Sequence, residues 1–372
     1  MKLAGLKVVD LSMFLPGPYL SLALADHGAE VIKIEPPGEG DAGRHIGLSD
    51  GPHTVFFRNL NRGKKSIVLD LKSADGREAL LDLAAGADVF IESFRPGVVE
   101  RLGVGYAALS ARNPGIVYCS ISAFGQDGPY GARPAHDLAV EALSGMLSLT
   151  VGTDGQPAIP GIPVSDVLSG LNGLAGVLMA LLRRQQTGMG DHIDISMLDS
   201  MLAAQRNVLG PTLAEGRQPD PKLERTTGGG AFYRIYDTQD GRRIALAGQE
   251  PKFVHALLGA LGREDLAPLC LQGPGAHQQP VMEFLEHAFR QAPCAEWESR
   301  LAALGMCFGV VNTLPEALDD PQIRARGMVL SDGQGRRHIA SPIRFLREPA
   351  APSLESPGLD EHHHLLRENT KT

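Results

Sequence analysis

Lys7-Val8-Val9-Asp10-Leu11 and Glu30-Val31-Ile32-Lys33-Ile34-Glu35, separated by a helical stretch around Tyr19 to His27, decide the fold of this chain. Each is a short apolar run rich in β-branched residues, the pattern of a strand. The alternation continues through Lys65 to Leu71, a helix over Gly76 to Ala85, Val89 to Glu92, a helix near Gly97 to Leu102, and Ile116 to Ile121. Parallel strands cannot be joined by a tight turn and need a crossover, so strands alternating with helices at this spacing predict a parallel sheet with helices on both faces. The expected fold class is α/β, with a doubly wound large domain.

Beyond these strands, Val167, Leu171, Leu174, Leu178 and Leu181 recur at helical spacing and predict one continuous buried stripe. Gly170, Gly173 and Gly176 form a second face. Glycine is costly inside a helix, so its recurrence predicts close approach of another backbone, with a partner subunit as the candidate. A passage rich in Pro, Gly and charge from Leu209 to Glu224 reads as a linker or mobile loop. Ala231 to Tyr236, a turn at Gln239-Asp240-Gly241 and Arg243 to Ala247 then read as a hairpin, and helical patterns run to about Leu304. The expected organisation is a large domain over 1–208, a linker over 209–227, a small α+β domain over 228–318 and a return to the large domain over 319–372.

The 372 residues, 43% of them hydrophobic, suffice for two domains with cores of their own. A net charge of -8 argues against nucleic acid or an anionic membrane surface as the main partner. A charged leader with an apolar core is not found, nor is a run of about 18 apolar residues, so neither secretion nor membrane spanning is expected and the location is read as cytoplasmic. Cys119, Cys270, Cys294 and Cys307 lack CxxC spacing and are expected to be buried thiols. His362-His363-His364 cannot all face one ion from a helix; a solvated C-terminal segment is expected there, and no metal site.

Three potential acid/base side chains lie at boundaries between extended or turn segments and helical patterns: His136, Asp166 and Glu250. Such boundaries are where a rigid scaffold presents reactive groups, and together the three point to an enzyme that moves a proton or an acyl group. Asp166 directly precedes an apolar helix and reads as its N-cap as well, with the amides of Asp166 and Val167 as candidates for holding a developing oxyanion. Glu250 before Pro251 also suits an ordinary helix start. Gly228-Gly229-Gly230 lacks the Lys-Ser/Thr of a phosphate loop and reads as a flexible lid or a plain linker.

Several segments carry a resemblance in their order along the chain: Leu15-Pro16-Gly17-Pro18, Gly28-Ala29-Glu30-Val31-Ile32-Lys33-Ile34-Glu35, Asn61-Arg62-Gly63-Lys64-Lys65-Ser66, Leu69-Asp70-Leu71-Lys72, Phe94-Arg95-Pro96-Gly97 and Gly125-Gln126-Asp127-Gly128-Pro129. With them the protein resembles the family III CoA-transferases and their close relatives, the α-methylacyl-CoA racemases. The resemblance implies an interlocked homodimer whose subunits each have a Rossmann-like large domain built from both chain ends and a smaller domain from the middle. It also implies an acyl-CoA substrate in the large domain, with no cofactor beyond the CoA moiety. By family position Lys72, Phe94, Arg95 and Arg101 are the favoured CoA contacts, with Arg62, Lys64 and Lys65 as further basic candidates.

The resemblance leaves two chemistries open. In transferases the residue matching Asp166 attacks the thioester and forms a mixed anhydride. In racemases it pairs with a histidine to exchange the proton beside the thioester carbonyl. His136-Asp137-Leu138 and Glu250-Pro251-Lys252-Phe253 resemble the racemase motifs, with Glu250 implied to orient His136. Leu138-Ala139-Val140-Glu141 lacks the usual racemase Asn-Tyr, and Ser165 to Gly170 and Ile193 to Asp199 resemble transferase segments. Proton exchange on a 2-substituted acyl-CoA is the leading expectation and CoA transfer the alternative.

Overall fold

In the computed structural model, which describes residues 1–152 and 154–368, the five predicted strands and a sixth not anticipated from the sequence, Asp191–Ser196, form one sheet. They are β1 (Lys7–Asp10), β2 (Glu30–Glu35), β3 (Lys65–Val68), β4 (Val89–Glu92), β5 (Val117–Ser122) and β6 (Asp191–Ser196). Every neighbouring pair is parallel and the spatial order is β3-β2-β1-β4-β5-β6. Nearly all residues of β1, β2, β4 and β5 are buried, as expected where helices cover both faces of a parallel sheet. The order reverses between β1 and β4, and the carboxyl ends of the strands at such a switch point border a natural ligand crevice.

The chain divides into two compact units, 1–144 with 160–204 and 321–372, and 145–159 with 205–320. The sheet belongs to the first. In the second, the predicted hairpin forms as β7 (Tyr233–Asp237) and β8 (Arg243–Ala247), joined by β9 (Phe308–Val310) in an antiparallel sheet. Phe232, Tyr236, Phe289 and Trp297 lie in its core. Residues 145–159, expected in the large domain, fall in this second unit, as does the expected linker, which holds a helix at Gly210–Glu215. Gly229 is packed rather than free: a Cβ there would lie 2.3 Å from the Leu223 carbonyl carbon.

The long helix Val164–Thr187 buries part of the predicted apolar stripe and is closely approached at its glycine face. The approaching groups come from the same chain: a Cβ would lie 2.7 Å from Pro16 O at Gly170, 2.6 Å from Leu20 Cδ1 at Gly173 and 3.0 Å from Ile193 Cγ2 at Gly176. Leu174 and Leu181 are buried, whereas Leu171 and Leu178 are 42% and 40% exposed. By length and composition alone this helix could cross a membrane, a test that the core helix of a soluble protein passes as well. Glycine lets it lie against the helix Pro16–Asp26 and the sheet at distances a larger residue forbids.

The C-terminal histidines are not simply solvated. His362 N–H donates to Ser66 O at 2.9 Å, and Asp360 Oδ1 accepts from Val68 N–H at 2.8 Å, so this segment covers the open edge of β3. Of the cysteines, Cys119 and Cys294 are buried, Cys270 is half-buried and Cys307 is exposed.

Candidate active site

The long helix starts at Val164 with Pro163 as N-cap, so Asp166 lies in its first turn and is not the cap. Pro163 has no side-chain acceptor, and the first amides are met from the neighbouring helix Asp137–Leu143. Glu141 Oε1 accepts from Val164 N–H at 3.0 Å. Asp137 Oδ1 accepts from Ser165 N–H at 2.8 Å, Ser165 Oγ at 2.7 Å and Asp166 N–H at 3.2 Å. Residues four apart on a helix share a face, which is how one helix satisfies the orphan donors of another.

This arrangement gathers three carboxylates. Glu141 is 0% exposed and its Oε2 has no hydrogen-bond partner. Burial pushes its carboxyl up, and Asp137 adds to the effect. Asp166 is pushed up to about 7, by burial first and then by the charges of Asp137 and Glu141. The hydrogen bonds of Asp166 among the described residues run through its main chain, N–H to Asp137 and C=O from Ser169 Oγ at 3.0 Å, which leaves its carboxyl group to a ligand. The same bonds correct the oxyanion expectation: the Asp166 amide is taken by Asp137, and the Val167 amide donates to Pro163 O at 3.2 Å.

His136 is the N-cap residue of the helix that carries Asp137 and Glu141, with an exposed imidazole that makes no capping bond. The residue after it accepts from the amide of Asp166, so the starts of the two helices that carry the two candidates are joined by a hydrogen bond. Phe14 packs against His136, edge to face, with ring centroids 6.2 Å apart.

A second cluster lies at the carboxyl end of β1. Lys64 Nζ bonds Asp10 Oδ2 at 3.2 Å, Ser21 Oγ at 2.7 Å and Asn61 Oδ1 at 2.9 Å, all buried. Lys33 pairs with Asp41 at 2.6 Å and Arg44 with Glu35 at 2.6 Å. Burial pushes Lys64 down to about 8, while Lys64 and Lys33 together with Ser12 and Ser21 outweigh burial and hold Asp10 below the usual carboxylate range. Among the further basic candidates, Lys64 is thus internal to the scaffold, Arg62 pairs with Asp26 at 2.7 Å, and Lys65 pairs with Glu30.

A cavity of about 460 Å³ opens at the carboxyl ends of β1 to β4, lined by Leu11, Met13, Ile34, Asp70, Lys72 and Phe94 among others. It brings Lys72 and Phe94 together. Arg95 and Arg101 are not in its wall; both are exposed on the segment that follows Phe94, Arg101 closing the short helix Val98–Arg101. The buried Glu92 fixes that segment by accepting from Phe94 N–H at 2.7 Å, and burial pushes its carboxyl up to about 7. Glu250 stands in the second unit as N-cap residue of the helix Pro251–Ala260, exposed and without a side-chain capping bond.

Sequence reasoning missed Glu141, Ser165 and Phe14. The Asp137-to-Glu141 spacing was a usable signal for two acids on one helical face. Nothing in the sequence announced Phe14.

A parallel sheet with a polar site at its carboxyl edge and a carboxyl group poised near neutrality describes an enzyme, and the comparisons agree. The chain belongs to CoA-transferase family III, whose model matches residues 3–363. It is 36% identical over 365 residues to the acetyl-CoA:oxalate CoA-transferase of Acetobacter aceti, covering 95% of this chain and 93% of that one. It is 34% identical over 367 residues to the alpha-methylacyl-CoA racemase of Mus musculus, covering 97% and 91%. The crystal structure of a CAIB/BAIF family protein from Brucella suis superposes with a TM-score of 0.85 at 33% identity, covering 98% of both chains. Both kinds of enzyme are therefore among its relatives.

Proposed function

We propose that the protein is a racemase-type enzyme that exchanges the α-proton of a 2-substituted acyl-CoA through His136 and Asp166. One observation carries the reading: the Asp166 carboxyl, pushed up to about 7, has no side-chain donor and lies on a helix start tied to the residue beside His136. A group titrating near neutrality serves as acid or as base, and histidine does the same. One of the two takes the α-proton and leaves an enolate; the other delivers a proton to the opposite face, and the next turnover starts with their protonation states interchanged.

Lys72 and Phe94 hold the CoA moiety in the 460 Å³ cavity, with Arg95 and Arg101 reaching its phosphates. The same reading has the enzyme working in the cytoplasm as an interlocked homodimer, with no membrane, nucleic acid or metal partner and no cofactor besides the CoA of its substrate. The exposed Leu178, Met179 and Leu182 of the long helix support an oligomer, being apolar side chains left in water.

The deciding experiment incubates the protein with one enantiomer of a 2-methylacyl-CoA in deuterated water, without acceptor acid. Deuteration at the α-carbon with loss of chirality is the expected result. Retained chirality and no deuterium turn the assignment to the second reading, CoA transfer with Asp166 as nucleophile. That reading is favoured by the open Asp166 carboxyl and by the transferase relative.

A further inference from the structure

Among the described residues, Phe14 and Asp360 are the non-glycine residues with positive φ, at 62° and 60°. A left-handed backbone crowds Cβ against the following carbonyl, and phenylalanine has no polar side chain to offset this with a local hydrogen bond, as Asp or Asn has. The ring is not buried in return: Phe14 is 42% exposed. Neither local preference nor core packing explains the conformation.

The loop on either side imposes it. Ser12 N–H donates to Asp10 Oδ1 at 2.9 Å, with Ser12 Oγ on the same oxygen, and Ser12 C=O accepts from Lys33 Nζ at 2.8 Å. Met13 N–H donates to Ser93 Oγ at 3.3 Å. Downstream, Pro16-Gly17-Pro18 opens a helix, and Gly17 lies so near Ser12 that a Cβ would fall 2.1 Å from Ser12 Cβ. A strained residue persists only where its surroundings over-determine it, and such residues gather at functional sites. Among the described residues, the ring contact that Phe14 makes is with His136, 6.2 Å between centroids at an interplanar angle of 80°.

We infer that Phe14 is a positioning residue whose ring, held out by the braced loop, fixes the orientation of the His136 imidazole and screens one side of it from water. The use of that orientation rests on the proton-exchange reading; the contact does not.

Phe14→Gly removes the ring and relieves the backbone. Misplacing a reacting group costs about 10²-fold in rate, so kcat for α-proton exchange is expected to fall by about that factor, with KM little changed. Glycine populates positive φ freely, so the melting temperature is expected to hold or rise. Phe14→Leu, which keeps bulk without the aromatic edge, falls between. A wild-type kcat in Phe14→Gly overturns the inference, and so does a loss of kcat matched by a loss of thermal stability, which marks the ring as structural. In resting protein labelled at histidine, the His136 ring C–H resonance is expected to move when Phe14 becomes glycine; an unmoved resonance overturns the contact. Should the wild-type enzyme exchange no α-proton, the functional reading fails while the resonance comparison still decides the positioning.

Discussion

Two of the places in the first unit where carboxylates are taken out of water are built on opposite plans. At the carboxyl end of β1 each acid has its cation: Asp10 has Lys64, Asp41 has Lys33 and Glu35 has Arg44. At the start of the long helix, Asp137 and Glu141 accept from amides and one serine hydroxyl beside the Asp166 carboxyl, and the three acids have no ion pair among the described residues. The first plan keeps carboxylates charged and immobile, which suits a brace. The second leaves the proton of Asp166 loosely owned near neutral pH, which suits chemistry.

Breaking the first plan has the largest expected effect on stability. Lys64→Met strands the Asp10 charge, and removing one partner of a buried pair costs about 3–5 kcal/mol, read as a lower urea midpoint. Adding Asp10→Leu to that variant recovers only part of the loss, since no counter-ion is then needed but the Ser12 and Ser21 donors that Asp10 accepted from are left unmet. A loss below about 1 kcal/mol for Lys64→Met is what a surface pair gives and erases the contrast.

Asp166→Asn moves stability the other way while abolishing activity. The Asp166 carboxyl ionises near 3.8 in the unfolded chain and near 7 in the folded one, so the folded state binds an extra proton between those values. Wild-type stability therefore declines as pH rises through that window, and the asparagine variant lacks the decline. We expect it to be about 2–4 kcal/mol more stable at pH 8, with the advantage gone near pH 4. Equal stability of the two proteins across the range removes the electrostatic cost assigned to this site.

Asp137→Asn has the smallest expected effect on stability, about 1 kcal/mol, because a weakened cap is partly compensated by a repulsion removed. Its signature is the pH profile: the Asp166 carboxyl loses a neighbouring charge and the midpoint of kcat against pH moves down. An unmoved midpoint removes Asp137 from the causes and leaves burial and Glu141.

The sheet was legible because its strands lie buried on both faces, and continuous runs such as Val31-Ile32-Lys33-Ile34 carry that signal even with a lysine among them. The long helix was legible in extent but only partly in orientation. Leucine outranks glycine in any reading by hydropathy, whereas packing against a neighbouring main chain selects the residue with no side chain. His136 and Asp166 were found as residue types at element boundaries. Their coupling was not found, because the bond from Asp166 N–H to Asp137 joins residues 29 apart and only the packing of two helices creates it. The left-handed turn at Phe14 is likewise imposed by partners distant in sequence, Lys33 and Ser93.

Gly170 lies one turn beyond Asp166, where its missing side chain brings the helix against Pro16 O, at the start of the helix that follows Phe14. The height of the reactive carboxyl is thus gauged main chain to main chain, like a shoulder machined on a shaft.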